Sequence, residues 1–226
     1  MAENPTVKIG VLISGTGSNL QAIIDSILRG DLKAEIRLVI SNRPDAPGLE
    51  RARRHGIETA VIEHRKFPSR EDFDRAVLAA LRARSVELVA LAGFMRLLSP
   101  VMLEAFPGRI MNIHNSLLPS FPGIHGPKEA IAYGVKIAGC TVFFVTPGVD
   151  VGPVIVQAAV PVLPGDDEQA LAARILHQEH QIFPHAIALY QQGRLEIRDR
   201  QVIIKGDSSA PNSSPLVNPP VVRFQN

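Results

Sequence analysis

The feature that most constrains the fold of this chain is the alternation of short apolar segments with longer amphipathic ones. Such alternation is typical of a parallel sheet that helices cover on both faces. We therefore predict an α/β, Rossmann-like three-layer αβα fold with a mostly parallel central sheet. The predicted strands are Lys8 to Ser14, Glu35 to Ile40, Thr59 to Ile62, Val86 to Ala92, Arg109 to Ile113, Thr141 to Thr146 and Val154 to Val160. The predicted helices are Asn19 to Leu28, Glu71 to Arg84, Pro100 to Phe106, Pro127 to Tyr133 and Asp166 to Gln192.

The second half of the predicted sheet departs from the parallel pattern. Too few residues separate the strands that begin at Thr141 and Val154 for a crossover helix, so these strands are predicted to be antiparallel neighbours in a mixed sheet. A final strand or hairpin is predicted over Arg194 to Ile204. Residues 1–205 thus form one predicted domain, and the Ser-, Pro- and Asn-rich stretch 206–226 is predicted to be a disordered tail.

Composition and charge argue against several classes of function. The formal net charge of the 226 residues is +2 and the basic residues do not cluster, which argues against nucleic acid as the main partner. No apolar run approaches the roughly 18 residues that a membrane span needs, and no signal peptide precedes the first strand. The single cysteine, Cys140, is predicted to be a small buried residue rather than a nucleophile. We expect a cytoplasmic protein, monomeric or homodimeric.

Two polar side chains at the end of one predicted strand are candidates for catalysis. Side chains on a strand repeat with a period of two, so Asn112 and His114 face the same side. An amide that donates to a developing oxyanion, next to an imidazole that holds or moves a proton near neutral pH, suits acyl-type transfer. A histidine at a strand end also serves purely structural roles, and the residues alone leave both interpretations open.

A carboxylate follows the next predicted strand, in the turn Pro147 to Pro153. Asp150 in such a turn commonly bonds its own backbone, which is the structural alternative. If this loop and the loop after His114 converge, Asp150 favours the imidazolium form of His114 and orients its ring. The convergence of the two loops is therefore the prediction on which the catalytic interpretation depends.

The first predicted strand runs into a glycine-rich turn, Ser14 to Leu20, that opens a helix. Glycines let the backbone approach an anion, and a helix N-terminus offers unpaired N–H groups, so we interpret the turn as a phosphate site. The alternative is a tight turn in which Ser18 caps the helix. A dinucleotide site is disfavoured, because Leu20 replaces the third glycine of the fingerprint. On the last long helix, His177 to His180 matches neither of the common zinc-binding spacings, and no metal is predicted.

Four motifs together resemble one known family. They are Ile13 to Ile23, Ala92 to Arg96, Asn112 to His114 with Ser116 to Pro119, and Asp150 with Gly152 to Ile155. Their combination resembles the glycinamide ribonucleotide formyltransferases, and the resemblance covers about residues 7 to 204. The Asn-x-His…Asp set alone marks the wider class of 10-formyltetrahydrofolate-dependent formyltransferases. The glycine loop narrows the resemblance to the purine-pathway enzymes.

The resemblance implies direct transfer of a formyl group from 10-formyltetrahydrofolate to the primary amine of glycinamide ribonucleotide. The implied reaction passes through a tetrahedral oxyanion, without a metal or a covalent enzyme intermediate. Asn112 would donate to the oxyanion, protonated His114 would stabilise it, and Asp150 would hold the imidazolium and help to pass a proton. The N-terminal half would bind the nucleotide and the C-terminal half the folate. The other implied site residues are Gly17, Ser18 and Asn19 for the substrate phosphate, Glu179 for its glycinamide and ribose end, and Arg70, Met95, Arg96, Leu97, Leu98, Gly148 and Val149 for the folate.

The chain departs from the family pattern outside the Asn-His-Asp set. Asn115 stands where proline is frequent, and Pro127 and Phe143 stand where histidines are common. Two other functions stay open at this point. One is another formyl-folate enzyme, a formyltetrahydrofolate deformylase or a methionyl-tRNA formyltransferase, which normally carry a further N-terminal or C-terminal domain that we do not expect here. The other is a non-catalytic phosphate-binding module, against which the intact Asn-His-Asp set counts.

Overall fold

The computed structural model describes residues 5–206, which form a nine-stranded sheet between two layers of helices. The strands are β1 (Val7–Ile13), β2 (Ala34–Ser41), β3 (Thr59–Val61), β4 (Leu88–Leu91), β5 (Ile110–His114), β6 (Ile137–Phe144), β7 (Val154–Pro161), β8 (Leu195–Arg198) and β9 (Gln201–Ile204). The helices are α1 (Ser18–Leu28), α2 (Gly48–Arg54), α3 (Arg70–Arg82), α4 (Pro100–Ala105), α5 (Gly126–Tyr133) and α6 (Glu168–Gln191), with a 3-10 turn at His64–Lys66. None of these helices is long and apolar enough to cross a membrane.

The strands lie in the order β3-β2-β1-β4-β5-β6-β7-β9-β8. From β3 to β5 all neighbours are parallel, as the alternation of strands and helices predicts. β6 is antiparallel to both β5 and β7, β9 is parallel to β7, and β8 is antiparallel to β9. The prediction of a mixed, mostly parallel αβα sheet is confirmed. The antiparallel pairing of β5 with β6 was not predicted, because the short helix α5 between them suits either direction.

Each face of the sheet carries its own apolar cluster. Val11 of β1 belongs to the cluster formed with α1, α5 and α6, whereas its neighbour Leu12 belongs to the cluster formed with α3 and α4. Both side chains are completely buried, as expected for a strand covered on both sides. Because parallel strands end at the same edge of a sheet, the chain leaves β1, β4 and β5 at one common edge.

Two elements differ from the sequence prediction. β6 begins at Ile137, before the predicted start at Thr141. The prediction was too short because glycine is uncommon inside strands, whereas the structure requires Gly139 at this place. A Cβ atom at Gly139 would overlap the carbonyl oxygen of Ala158 on β7. Helix α2 was not predicted, since its seven residues are too few to show a helical period. The tail predicted over 206–226 lies outside the described residues, except for residue 206.

Cys140 lies within β6 and is completely buried. Burial raises the pKa of its thiol to about 12, and the charge of the nearby Glu179 adds to this effect. A thiol in this environment is a poor nucleophile near neutral pH. The position of Cys140 thus agrees with the prediction of a small buried residue.

We expect the Cys140 thiol to resist Ellman's reagent while the protein is folded. At pH 8 a pKa of about 12 leaves on the order of one thiol in ten thousand ionised, and the fold excludes the reagent. Absorbance at 412 nm should report slow reaction in buffer and one equivalent within minutes in guanidinium chloride. Cys140→Ser provides the blank. Rapid, stoichiometric reaction of the folded protein would contradict the buried position.

Candidate active site

A cavity of about 580 Å³ opens at the sheet edge where β1, β4 and β5 end. Every site residue predicted from the sequence lines it except Gly17 and Ser18, which lie just before Asn19. Helices α1 and α6, which cover one face of the sheet, supply one side of the cavity. Residues of α3 and α4, which cover the other face, supply the opposite side together with segments 93–98 and 145–150. The predicted residues in the lining are Asn19, Arg70, Met95, Arg96, Leu97, Leu98, Asn112, His114, Gly148, Val149, Asp150 and Glu179.

The imidazole of His114 is hydrogen-bonded at one ring nitrogen and faces a carboxylate with the other. Its Nε2 lies 3.0 Å from the carbonyl oxygen of Phe121. A carbonyl oxygen only accepts, so Nε2 carries the hydrogen in this arrangement. Nδ1 lies 3.7 Å from Oδ2 of Asp150, which is within ion-pair range but longer than a hydrogen bond. The anchored Nε2 leaves Nδ1 as the nitrogen that can meet Asp150 or a ligand.

A neighbouring loop holds the carboxylate of Asp150 in place. The backbone N–H of Gly123 donates to its Oδ2 at 2.8 Å. Asp150 adopts a left-handed backbone conformation, with φ of 52°, in which aspartate is one of the less strained residues. The side chain is 13% exposed, so water screens its charge only partly. The loops after β5 and β6 therefore converge, which is the arrangement on which the catalytic interpretation depends.

The segment that carries Asp150 is a hairpin, residues 145–153, between β6 and β7. Phe144 at the end of β6 lies opposite Met111, and Val154 at the start of β7 pairs with Phe143. Both ends of the hairpin therefore lie beside the first residues of β5. Asp150, within the hairpin, lies instead next to His114, the last residue of that strand. The hairpin must fold back over the sheet. Its neck requires Gly152, because a Cβ atom there would overlap the carbonyl oxygen of Phe144.

Asn112 presents an uncommitted amide to the cavity. It is half-buried on β5, two residues before His114, and it pairs in register with Phe143. The amide makes no hydrogen bond to any residue between 5 and 206. A primary amide beside an imidazole, with its N–H groups unused, is able to donate to an oxyanion bound in the cavity.

The glycine turn after β1 leaves a helix N-terminus open. Helix α1 begins at Ser18, and its N-cap is Gly17 with φ of 69°. Within the described part of the chain no side chain caps this helix, so the alternative in which Ser18 is the cap is wrong. The first helical bond runs from Gln21 N–H to the Gly17 carbonyl, which leaves the preceding N–H groups for an anion.

Helix α2 supports this turn and was missed by the sequence analysis. A Cβ atom at Gly17 would come within 2.7 Å of the Gly48 Cα atom, so the two backbones approach closely. Arg51 of α2 donates from Nε to the carbonyl oxygen of Thr16 at 2.8 Å and places a cation beside the turn. No motif marks Arg51 in the sequence, because its role depends on how α2 packs.

Glu179 of α6 is a buried carboxyl group on the same side of the cavity. It is 7% exposed, and its Oε2 accepts a hydrogen bond from Asn19 Nδ2 at 2.7 Å. Burial raises the pKa of Glu179, and the bond from Asn19 and the charge of His114 partly offset this rise. Its neighbour His177 instead contacts Gln181. Among residues 5–206 no group of three or more His, Cys, Asp or Glu is arranged to hold a metal.

The opposite side of the cavity combines apolar surface with cations. Met95 and Leu97 are 63% and 53% exposed, and Val149 is 46% exposed. Arg70 and Arg96 lie among them, with exposed guanidinium groups. Such a wall suits a flat apolar ring system that carries carboxylates. Further lining residues were missed because ordinary apolar side chains carry no distinctive sequence signal, and these include Phe94, Leu103, Ile124, Phe143 and Val145.

Known proteins share both this sequence and this fold. Residues 7–187 match the family model described as Formyl transferase. The chain is 45% identical over 205 residues to the phosphoribosylglycinamide formyltransferase of Escherichia coli K12, an alignment that covers 91% of this chain and 97% of that protein. This chain belongs to the phosphoribosylglycinamide formyltransferase family. The family predicted from the four sequence motifs is confirmed.

A solved structure and a longer relative extend the comparison. The structure of glycinamide ribonucleotide transformylase 1 from Symbiobacterium toebii matches with a TM-score of 0.87 and 54% identity, over 88% of this chain and 94% of that one. The predicted fold class is confirmed by this match. The chain is also 51% identical to the trifunctional purine biosynthetic protein adenosine-3 of Drosophila pseudoobscura pseudoobscura. It spans only 14% of the length of that relative.

We expect Glu179→Gln to unfold at a higher temperature than the wild type near neutral pH. Because burial raises the pKa of Glu179, the folded chain binds this proton more tightly than the unfolded chain does. The protonated carboxyl group therefore stabilises the folded chain. This stabilisation is lost as the pH rises from the ordinary pKa of glutamate towards the raised pKa of Glu179. The glutamine keeps an acceptor for Asn19 without the charge. Thermal unfolding between about pH 4 and about pH 8 measures the difference.

In this comparison the advantage of Glu179→Gln should grow as the pH rises. Glu129→Gln is the matched control, because Glu129 lies exposed on α5. Its unfolding temperature should follow that of the wild type throughout. A Glu179→Gln variant that becomes less stable than the wild type with rising pH would show that the carboxylate stabilises the fold.

Proposed function

We propose that this protein transfers the formyl group of 10-formyltetrahydrofolate to the primary amine of glycinamide ribonucleotide, a step of purine biosynthesis. One observation carries the proposal. The Nδ1 atom of His114 lies 3.7 Å from Asp150, beside the free amide of Asn112, in a cavity with two chemically different sides. The family to which the chain belongs supports the same amine as acceptor and a folate as the formyl donor.

In the proposed reaction the amine nitrogen attacks the formyl carbon and the C=O electron pair moves onto oxygen. The tetrahedral oxyanion then accepts hydrogen bonds from Asn112 and from protonated His114. Asp150 stabilises the imidazolium through its negative charge. As the oxyanion collapses, the bond to the folate nitrogen breaks, and the proton lost by the amine passes to that nitrogen with the help of Asp150. The products are formylated amine and tetrahydrofolate, so atoms and charges balance.

The two sides of the cavity are assigned to the two substrates. The N–H groups of Gly17, Ser18 and Asn19 are proposed to bind the phosphate of the nucleotide, with Arg51 adding positive charge. Glu179, which accepts a hydrogen bond from Asn19, is proposed to bind the glycinamide and ribose end. On the opposite side, Met95, Leu97 and Leu98 with the backbone of Gly148 and Val149 are proposed to hold the pterin. Arg70 and Arg96 are proposed to bind the carboxylates of its glutamate.

We expect that removing any member of the Asn-His-Asp set reduces turnover and leaves the fold intact. Asn112→Ala should cost on the order of 10²–10³ in kcat, because one oxyanion donor is lost. His114→Ala and Asp150→Asn should each reduce kcat greatly, since the imidazolium or its counter-charge is lost. The measurement is a spectrophotometric assay with 10-formyltetrahydrofolate, with and without glycinamide ribonucleotide. Circular dichroism checks folding.

Asp31→Asn serves as the control in this assay, because its carboxylate only pairs with Arg29 on the surface. Near-wild-type turnover in all three site variants would refute the proposed function. Loss of the formyl group without the nucleotide would instead indicate hydrolysis, the reaction of a deformylase. Ligand binding without turnover by the wild type would indicate a non-catalytic module.

We expect Ser18→Asp to weaken binding of glycinamide ribonucleotide, whereas Ser18→Ala should bind it almost as the wild type does. The aspartate would put a negative charge at the N-terminus of α1, where the substrate phosphate is proposed to lie. The alanine retains the backbone N–H. Isothermal titration calorimetry with the nucleotide measures both Kd values. Equal affinities of the aspartate and alanine variants would remove this turn from the site.

A further inference from the structure

Loop 93–98, which joins β4 to α4, forms one wall of the cavity with every one of its residues. Much of its side-chain surface is open to solvent, as the exposure of Met95 and Leu97 shows. Within the loop only Phe94 is buried, where its ring stacks on that of Phe73 at 6.5 Å between centroids. Leu98 also packs partly against the same apolar cluster, but the exposed residues between Phe94 and Leu98 have no such packing, so polar contacts contribute to holding this wall.

The first of these contacts comes from Ser14, at the end of β1. Ser14 is 6% exposed, and its backbone N–H donates to the Gly93 carbonyl at 3.0 Å. Its hydroxyl oxygen accepts the N–H of Met95 at 2.9 Å and donates its own hydrogen to Asn42 Oδ1 at 2.7 Å. One buried residue thus bonds the loop twice. Ser14 directly follows β1, so its side chain ties loop 93–98 to the central sheet, whereas its backbone bond to Gly93 does not depend on the side chain.

The second contact comes from Asp74 of α3. Asp74 is 1% exposed, and its Oδ2 accepts the backbone N–H of Ser99, the residue that directly follows the loop, at 2.5 Å. Among residues 5–206 its Oδ1 has no hydrogen-bond partner. Burial raises the pKa of Asp74, and hydrogen bonding with Ser99, followed by the charge of Arg70 one turn earlier on the helix, opposes that rise.

A half-satisfied carboxyl group inside the apolar layer of α3 costs free energy, and its bond from the Ser99 N–H offsets part of that cost. An apolar residue at position 74 would leave the buried N–H of Ser99 without this acceptor. The bond links the end of loop 93–98 to the helix that carries Arg70. Ser14 and Asp74 act on opposite ends of the same wall, from elements on different sides of the loop.

We infer that Ser14 and Asp74 are positioning residues for the formyl donor: their buried side chains hold loop 93–98 as a preformed wall against which the folate binds. This inference rests on the proposed function, which assigns that side of the cavity to the donor. Neither side chain lines the cavity, so both act through the loop. Their loss should therefore affect the donor and spare the nucleotide and the chemical step.

The test compares Ser14→Ala, Asp74→Ala and the conservative Asp74→Asn with the wild-type protein. Hydrogen-exchange mass spectrometry follows the peptide that spans 93–99, and calorimetry gives the Kd for tetrahydrofolate. We expect exchange of the Met95 and Ser99 amides to be about tenfold faster where the bond to each is lost, and the tetrahydrofolate Kd and the donor KM to rise about tenfold. kcat at saturating donor and the KM for the nucleotide should change little.

Two substitutions outside the cavity control for loss of a buried polar group. Ser26→Ala removes a buried hydroxyl on α1, where Ser26 is 4% exposed. Asp166→Ala removes a carboxylate that, like Asp74, accepts the backbone N–H of a loop residue, Leu163, and whose side chain is 7% exposed. Both controls should leave the tetrahydrofolate Kd unchanged. Asp74→Asn keeps an acceptor for Ser99 and should fall between Asp74→Ala and the wild type.

The outcomes separate this inference from the proposed function. Faster exchange with a higher tetrahydrofolate Kd supports it. An unchanged Kd in Ser14→Ala and Asp74→Asn, or a fall in kcat as large as the rise in donor KM, overturns it. Because exchange and Kd need no turnover, they decide the inference even if the wild type transfers no formyl group, a result that would refute only the proposed function. If Asp74→Ala does not fold, Ser14→Ala and Asp74→Asn decide it.

Discussion

The shared carboxyl edge of β1, β4 and β5 is the constraint on which the rest of the site depends. Each of these strands ends at that edge and leads to residues that line the cavity. The glycine turn follows β1, loop 93–98 follows β4, and β5 itself carries Asn112 and His114. Hydrogen bonding between strands therefore sets the spacing of groups that are far apart in the chain. Asn112 and His114, two of the three residues proposed to act on the reacting atoms, lie on a central strand of this sheet.

The sequence predicts those parts of the site that depend on distinctive side chains. The strand period placed Asn112 and His114 on one side, the turn after the next strand pointed to Asp150, and the family resemblance pointed to Glu179. All four line the cavity. The sequence does not reveal contacts made by backbone groups, such as the contact between the Phe121 carbonyl and His114, because any residue type supplies a carbonyl. Helix α2 was missed for a related reason: its position depends on close packing of two glycines rather than on an apolar period.

Buried polar groups explain how an open cavity keeps a defined shape. Glu179 and Asp74 are carboxyl groups whose charged forms burial disfavours. Each of them accepts a hydrogen bond from a group at the edge of the cavity. Ser14 and His114 are likewise buried and bonded to loop backbone. Apolar residues at these places would leave the bonded loop groups without their partners. The structure thus combines an apolar core with a polar margin that holds the loops in place.

Hairpin 145–153 places Asp150 outside the paired strands of the sheet. β6 and β7 pair along their whole length below the neck at Gly152, so the sheet is complete without the hairpin tip. The amide and the imidazole belong to a strand, whereas Asp150 is borne by an appendage. A change in the length or composition of this hairpin would therefore move the proposed acidic member of the set without altering the strand pairing that holds the other two.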